Sequence, residues 1–400
     1  MKVAVVHNLP SGGALRVVEA QVRGLAATHE VEVFTLSTAE SAFADLSAAR
    51  AIHRFEFAPG EPLGRPLGMF DPLVKLADLA RLDRAYRGVA RAIRERACDV
   101  ALVHPCRFTQ APAVLEHLAV PAVYVCQEPP RALYEPLEAR EPATLAGRLR
   151  ELRHWPLARA LTWRLKALDR AACRAARAVV VSSAYIRDAV RRIYGVEAEL
   201  VPPGVDTARF APPAERERER YLLSVGALSP LKGFDLIIEA LGQVAAALRP
   251  PLVLVCDRGS GAHGEELAEQ ARARAVQLEM QVRLPDDLLV RRYQRARATV
   301  YVPVREPFGL VPLESMACGT PVIGVREGGV LETVEDGVTG LTVPRDAAAL
   351  ARAIEALGAD PARAEALGAA GRARVLERWT WDASNAHLAA LLARVAGASR

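Results

Sequence analysis

The chain has 400 residues, 51% of them hydrophobic and 25% charged, the balance of a soluble globular protein and too long for one ordinary core, so two domains of roughly 150–200 residues are expected. A formal net charge of +5 is too small to argue by itself for nucleic acid, and no apolar run approaches the roughly 20 residues that span a bilayer. The six cysteines, at 98, 106, 126, 173, 256 and 318, form no Cys-x-x-Cys pair and no ligand spacing, which argues for reduced, buried thiols in a cytoplasmic protein.

Lys2-Val-Ala-Val-Val6 breaks at His7-Asn-Leu-Pro10, which reads as a first strand and is too quickly polar for a signal peptide. Gly12 and Gly13, in Ser11-Gly-Gly-Ala14, follow that strand and open a helix. The pattern is not Gly-x-Gly-x-x-Gly, so a nicotinamide fingerprint is unsupported. Further strands are expected at Val31–Leu36, Val100–His104, Ala122–Val125 and Ala178–Val181, with helical patterns between them. That alternation argues for a parallel sheet built from βαβ units. His104 ends a strand and could face a ligand, although a lone histidine is more often structural. The run Tyr124-Val-Cys-Gln-Glu-Pro-Pro-Arg-Ala-Leu-Tyr134 leaves another strand end, where open α/β sheets place ligands. Gln127, Glu128 and Arg131 are its candidates for acceptor contacts, with a structural salt bridge as the alternative for Glu128 and Arg131.

Between Arg140 and Arg177 ten Arg and Lys residues stand against three acidic ones, Glu141, Glu151 and Asp169, interleaved with Trp155 and Trp163. Basic residues with interfacial aromatics fit a helix lying on an anionic membrane. A solvated helix whose tryptophans pack on the core is the alternative. Val201-Pro-Pro-Gly-Val-Asp206 and the alternating run Glu215-Arg-Glu-Arg-Glu-Arg220 mark a solvated connection, and the domain boundary is expected near 206.

In the second half, strands are expected at Tyr221–Val225, Leu252–Cys256, Gln281–Leu284, Thr299–Val302, Val322–Val325 and Leu341–Val343. Lysine occurs only at positions 2, 75, 166 and 232, and Lys232 falls at a predicted helix start, where the helix dipole disfavours a cation. Its presence there suggests an anionic ligand. The run Glu306-Pro-Phe-Gly-Leu-Val-Pro-Leu-Glu314 carries the most information. Gly309 can turn the backbone, Pro312 is tolerated in a first helical turn, and Gly319 with Pro321 ends the helix. Gly309 to Glu314 spans about 7.5 Å of helix axis. One carboxylate therefore reaches the helix mouth and the other a group deeper along the same ligand, with free N–H groups at the mouth suited to phosphate. Hydroxyls at both ends with phosphate between them describe a sugar nucleotide.

These residues, with Met316-Ala-Cys-Gly-Thr-Pro-Val-Ile323, Glu327-Gly-Gly329, Glu335-Asp-Gly-Val-Thr-Gly340 and Pro203-Gly-Val-Asp-Thr207, resemble the retaining glycosyltransferases of family 4, in family order over most of the chain. The resemblance implies the α/β GT-B fold, with two Rossmann-like domains whose parallel sheets face a central cleft. It implies an acceptor-binding domain at 1–205, a nucleotide-sugar-binding domain at 206–375, and a terminal helix at 376–400 packing back on the first. It further implies hexose transfer from a UDP- or GDP-linked donor to a saccharide or lipid-linked acceptor. No cofactor and no essential metal are implied. Some members that modify lipid-linked acceptors dock on membranes, which extends the location to a peripheral contact on the inner membrane face through 140–177.

By the same resemblance, Lys232 holds donor phosphate and Glu306 contacts the donor sugar beside the reacting carbon. Glu314 takes the ribose hydroxyls, the main chain of Phe308, Gly309 and Leu310 lines the sugar and distal phosphate, and Gly12 and Gly13 face the donor phosphate. Two departures stand out. Ala227 occupies a position where members often carry an arginine, with Arg258 in Cys256-Asp-Arg-Gly-Ser-Gly261 a candidate substitute. Gln127 stands where many carry a histidine, and an amide cannot act as a base near neutral pH. The rival readings are a non-catalytic relative that binds a sugar nucleotide, and a GT-B phosphorylase or synthase of small sugars. Nucleic-acid binding lacks a recognised module.

Overall fold

A computed structural model describes residues 1–40, 44–63, 70–135, 145–214, 218–257 and 261–398. The chain forms two compact units. One comprises Met1–Ser182, Ile186–Val201 and Asn385–Arg400; the other comprises Ser183–Tyr185 and Pro202–Ser384.

The first unit is built on seven strands: β1 (Lys2–Asn8), β2 (Glu30–Leu36), β3 (Ala51–Phe55), β4 (Val100–Cys106), β5 (Ala122–Val125), β6 (Ala178–Val181) and β7 (Ala198–Leu200). They pair in parallel in the order β3-β2-β1-β4-β5-β6-β7. The second unit has six: β8 (Leu222–Val225), β9 (Leu252–Cys256), β10 (Leu278–Val282), β11 (Ala298–Tyr301), β12 (Val322–Val325) and β13 (Gly340–Val343). These are also parallel, in the order β10-β9-β8-β11-β12-β13. Both sheets are doubly wound Rossmann-like sheets whose order reverses, at β1/β4 and at β8/β11, and ligands of such sheets bind beyond the strand ends at that reversal.

The near-continuous apolar strands follow from helices covering both faces. In the first unit Val3, Val5, Leu102 and Val123 pack with Leu15, Val18 and Val22 of helix Gly13–Ala26. The same core takes Leu388, Leu391, Leu392 and Val395 from helix Trp381–Gly397, so the terminal helix completes the N-terminal core. In the second unit one face packs Phe234, Ile237, Ile238 and Leu241 with Leu350, Ile354 and Leu357, and the other packs Tyr293, Leu313 and Met316.

The second unit begins slightly before residue 206, because Val205 bridges Thr380 and packs with Phe210 into the second core. Two strands, β3 and β7, go beyond those expected. Both are sheet edges: β3 alternates in burial and β7 has three residues, so neither leaves an apolar run to read. β10 lies earlier than Gln281–Leu284, since Arg283 takes φ 50° and ends the strand. All six cysteines are buried and free. Among the described residues no helix is long and apolar enough to cross a membrane.

Candidate active site

The site grows from the chain that leaves β11. Residues 302–309 form a loop, and Gly309, at φ 97°, turns it into helix Leu310–Ala317. A side chain there would be strained and would press on Tyr301 and Pro312. The first turn of this helix has no side-chain cap, so its leading N–H groups are directed to the helix mouth, where an anion is favoured. Phe308 and Leu313 point the other way, into the core.

Glu314, in the second turn, is 8% exposed. Its Oε2 accepts a 2.7 Å hydrogen bond from the hydroxyl of Tyr293, on helix Asp286–Arg295. Tyr293 was not among the expected site residues. Glu306 precedes the helix, and its Oε2 lies 2.9 Å from Lys232 Nζ. Lys232 closes the short turn Pro230–Lys232 after β8, a turn whose start is capped by Ser229. That turn is bound to the Glu306 loop by the Val304 N–H donating to Leu231 O at 2.8 Å. The Asp257 carboxylate accepts from the Leu228 N–H at 2.8 Å, so the loop after β9 adjoins the same turn.

Glu327-Gly-Gly329 joins the assembly through its backbone. The Gly329 N–H donates to Glu306 O at 2.8 Å. A Cβ on Gly328 would lie 2.4 Å from Glu306 O, and one on Gly329 2.3 Å from Pro307 O. Only glycines allow this approach, which explains the dipeptide in a segment distant in sequence from the loop. Lys232, Glu306, Gly309, Leu310 and Glu314 are therefore gathered in one unit, at the strand ends beside the β8/β11 reversal. Arg258 lies outside the described residues.

The candidates of the first unit are distributed differently. Gly12 and Gly13 stand at the start of helix Gly13–Ala26, where no side chain caps the first turn. Gln127 is half-buried, and its Nε2 finds no partner among the described residues. Arg131 Nε donates to Glu128 Oε2 at 2.8 Å, so these two satisfy each other locally. His104 within β4 and its neighbour His7 within β1 are 0% and 1% exposed, and neither ring finds a hydrogen-bond partner among the described residues. Burial pushes the His104 pKa down to about 3, with His7 adding to the effect, and that of His7 down to about 4. Every residue of β4 is buried, so His104 stands in the interior of the first unit.

In helix Leu145–Ala175 Trp163 is 71% exposed, rather than packed on the core. Asp169 is enclosed and accepts from the hydroxyls of Tyr134 and Tyr194 and from the Ala111 N–H. Residues 136–144, and the side chain of Trp155, lie outside the described residues.

Residues 11–209 match the family model described as Glycosyltransferase Family 4, and residues 206–374 that described as Glycosyl transferases group 1. The chain is 37% identical over 238 residues to a GDP-mannose-dependent alpha-(1-6)-phosphatidylinositol monomannoside mannosyltransferase of Mycolicibacterium smegmatis, covering 54% of this chain and 61% of that protein. It is 37% identical over 215 residues to a D-inositol 3-phosphate glycosyltransferase of Acidothermus cellulolyticus, covering 48% and 47%. It thus spans about half the length of the curated relatives it matches. Sucrose-phosphate synthase from Thermosynechococcus elongatus superposes with TM-score 0.76 at 22% identity over 100% of both chains. Anabaena HepE in complex with UDP-glucose does so with TM-score 0.71 at 18% identity over 98% and 99%. Likeness at these identities establishes the fold.

Proposed function

The chain belongs to the family-4 glycosyltransferases of GT-B fold, and from that membership we propose that it is a retaining enzyme. In this reading it moves a hexose from a UDP- or GDP-linked donor to a saccharide or lipid-linked acceptor. The observation that carries the reading is the Lys232–Glu306 pair, at 2.9 Å, beside the uncapped helix whose second turn presents Glu314. A cation and backbone N–H groups side by side suit a diphosphate, and the two carboxylates suit the hydroxyls on either side of it.

In the proposed reaction the bond from the anomeric carbon to the diphosphate oxygen breaks and a bond from that carbon to an acceptor oxygen forms. The acceptor proton passes to the departing phosphate on the same face of the sugar. Charge develops on the diphosphate, and Lys232 with the helix N–H groups stabilises it there, without requiring a metal ion. Glu306 takes the donor-sugar hydroxyls and Glu314 the ribose diol, since a carboxylate accepts two hydrogen bonds from vicinal hydroxyls. The relatives' printed activities support the two donor classes: one is named for GDP-mannose, and a neighbouring structure holds UDP-glucose. A lipid-linked acceptor and a peripheral membrane contact through the basic stretch 140–177 belong to the same reading.

The test is a thermal-shift panel of UDP, GDP, ADP and their sugars, followed by turnover of the stabilising donors with purified protein. Transfer that falls with Lys232→Ala and Glu306→Ala supports the reading. Full activity in either variant overturns its role. Tight nucleotide binding with no turnover across an acceptor panel favours a non-catalytic relative, for which Ala227 and Gln127 are the motivating residues.

A further inference from the structure

We propose that Glu327 and Arg345 form a positioning brace that sets the placement of Glu306 against the donor sugar; the proposal rests on the reading of Glu306 given above. Arg345 follows β13, and its guanidinium spans two segments. Nη1 donates to Val302 O at 3.0 Å and Nη2 to Pro303 O at 2.5 Å. Nε donates to Glu327 Oε1 at 2.7 Å and Nη2 also to Glu327 Oε2 at 3.0 Å. The Glu327 carboxylate in turn accepts from the Arg305 N–H at 3.3 Å.

One side-chain pair therefore holds residues 302, 303 and 305, while Leu231 O holds the Val304 N–H from the side of Lys232. Arg305 has φ 47°, a left-handed conformation that costs a non-glycine residue of order 1 kcal/mol and persists only where its surroundings impose it. The imposing groups are these hydrogen bonds, and the reversal at Arg305 directs the next residue, Glu306, to Lys232. Burial alone would raise the Glu327 pKa, but the hydrogen bonds and charge of Arg345 prevail and hold it below the usual carboxylate range. The pair thus stays charged across the working range of pH. Arginine suits the position because its planar fork donates in several fixed directions at once, which a lysine ammonium does not.

A general stabilising pair and a positioning brace make different predictions. Displacing a reacting group by about 1 Å can cost about 10²-fold in rate. Arg345→Ala is therefore expected to lower kcat by ~10- to 100-fold. Affinity for free UDP or GDP, which Glu306 does not itself contact and only competes with for Lys232, should not weaken by more than about twofold, a bound small beside a tenfold step of 1.4 kcal/mol. The preference of the protein for UDP-glucose over UDP, or GDP-mannose over GDP, should shrink in the same variant. Arg345→Lys keeps the charge beside Glu327 without reaching both carbonyls, so it should recover only part of the rate. Glu327→Gln keeps the shape without the charge and should fall between. The measurements are kcat, isothermal titration with each diphosphate and its sugar, and Tm. Wild-type kcat in Arg345→Ala overturns the proposal. So does a parallel loss of diphosphate affinity, rate and Tm in the milder Arg345→Lys and Glu327→Gln variants, which is the behaviour of a merely structural pair. If the wild-type protein itself transfers nothing and binds the diphosphate and its sugar alike, the reading of Glu306 fails first and takes the brace with it. If the wild type discriminates and the variants do so equally, the brace alone is overturned.

Discussion

The ammonium of Lys232 stands 2.9 Å from the carboxylate of Glu306, and the aliphatic stem of the lysine runs beside Gly226. A cation held in this way can serve a diphosphate only by being shared, so the carboxylate decides where the charge rests before a donor arrives. Removing the cation takes away a group aimed at developing charge, a loss of about 10²–10³ in rate in comparable cases. Lys232→Ala should lower kcat/KM for the donor by that order. Glu306→Gln should separate the two roles: it leaves the ammonium without a counter-charge, so free diphosphate binds as well or better while transfer falls. Steady-state kinetics with titration of the diphosphate distinguishes these outcomes. Weaker diphosphate binding in Glu306→Gln would contradict the sharing argument.

Glu314 should behave in the opposite sense. Its Tyr293 partner is fully buried, and the 2.7 Å hydrogen bond orients the carboxylate from within the core. Tyr293→Phe removes one hydrogen bond to a charged group without changing shape, worth about 1.5–3 kcal/mol. If the carboxylate receives the ribose, the Kd for the diphosphate and for its sugar should rise together, by about tenfold for each 1.4 kcal/mol lost. The ratio between them should hold. A change in that ratio, measured by titration, would place Glu314 at the sugar instead.

How far this site was legible depends on whether its parts are neighbours along the chain. The Glu306–Glu314 run and the helix mouth are local and leave a readable spacing, which the resemblance to family 4 made specific, and the Glu327-Gly-Gly329 segment was read through that resemblance. Tyr293 and Arg345 carry no such signal. Tyr293 is one apolar position of an ordinary amphipathic helix, and Arg345 is one arginine among many until folding brings it to Val302 and Pro303. The burial of His104 was not legible either, because a continuously apolar strand makes no distinction between a residue at its end and one in its core. The parallel sheets were readable because buried βαβ strands are continuously apolar. The edge strands β3 and β7 were not, because they are half-exposed or too short to leave a pattern.

The enclosed histidines give the fold an acid limit. The folded pKa values, about 4 for His7 and about 3 for His104, lie below the ordinary value of 6.5. The unfolded chain therefore binds these protons first. Stability from this source is fully present above pH 6.5 and declines as the pH falls toward those values, by up to ~1.4 kcal/mol per pH unit for each histidine. Glu32 acts in a lower window. Burial would raise its pKa, but hydrogen bonds from Arg96, Lys2 and His53 bring it to about 2, so its contribution fades only below about pH 4.5. His104→Leu should flatten the fall in Tm from pH 7 downward and leave in place the further loss below pH 4.5 that Glu32 contributes. An unchanged slope between pH 7 and 5 would show that the histidines are not its source.

Trp163 bears on where the protein works. On a helix with about 3.6 residues per turn, Arg159, Arg170 and Arg174 fall within about 40° of it, and all three are exposed. Asp169, the one acidic residue from 156 to 175, is enclosed by Tyr134 and Tyr194 and puts no charge on this face. An exposed indole beside exposed arginines fits the headgroup region of an anionic bilayer, where each basic residue contributes about 1 kcal/mol. The protein should co-sediment with phosphatidylglycerol-containing vesicles, less so as salt rises, and should ignore pure phosphatidylcholine. Arg159→Glu combined with Arg170→Glu should lower the partition coefficient by roughly tenfold or more. Trp163→Ala should weaken binding without altering its salt dependence, since the indole contributes through its apolar ring. Equal sedimentation with neutral vesicles, or none with either, would return this helix to the role of a solvated surface and remove the main support for a lipid-linked acceptor.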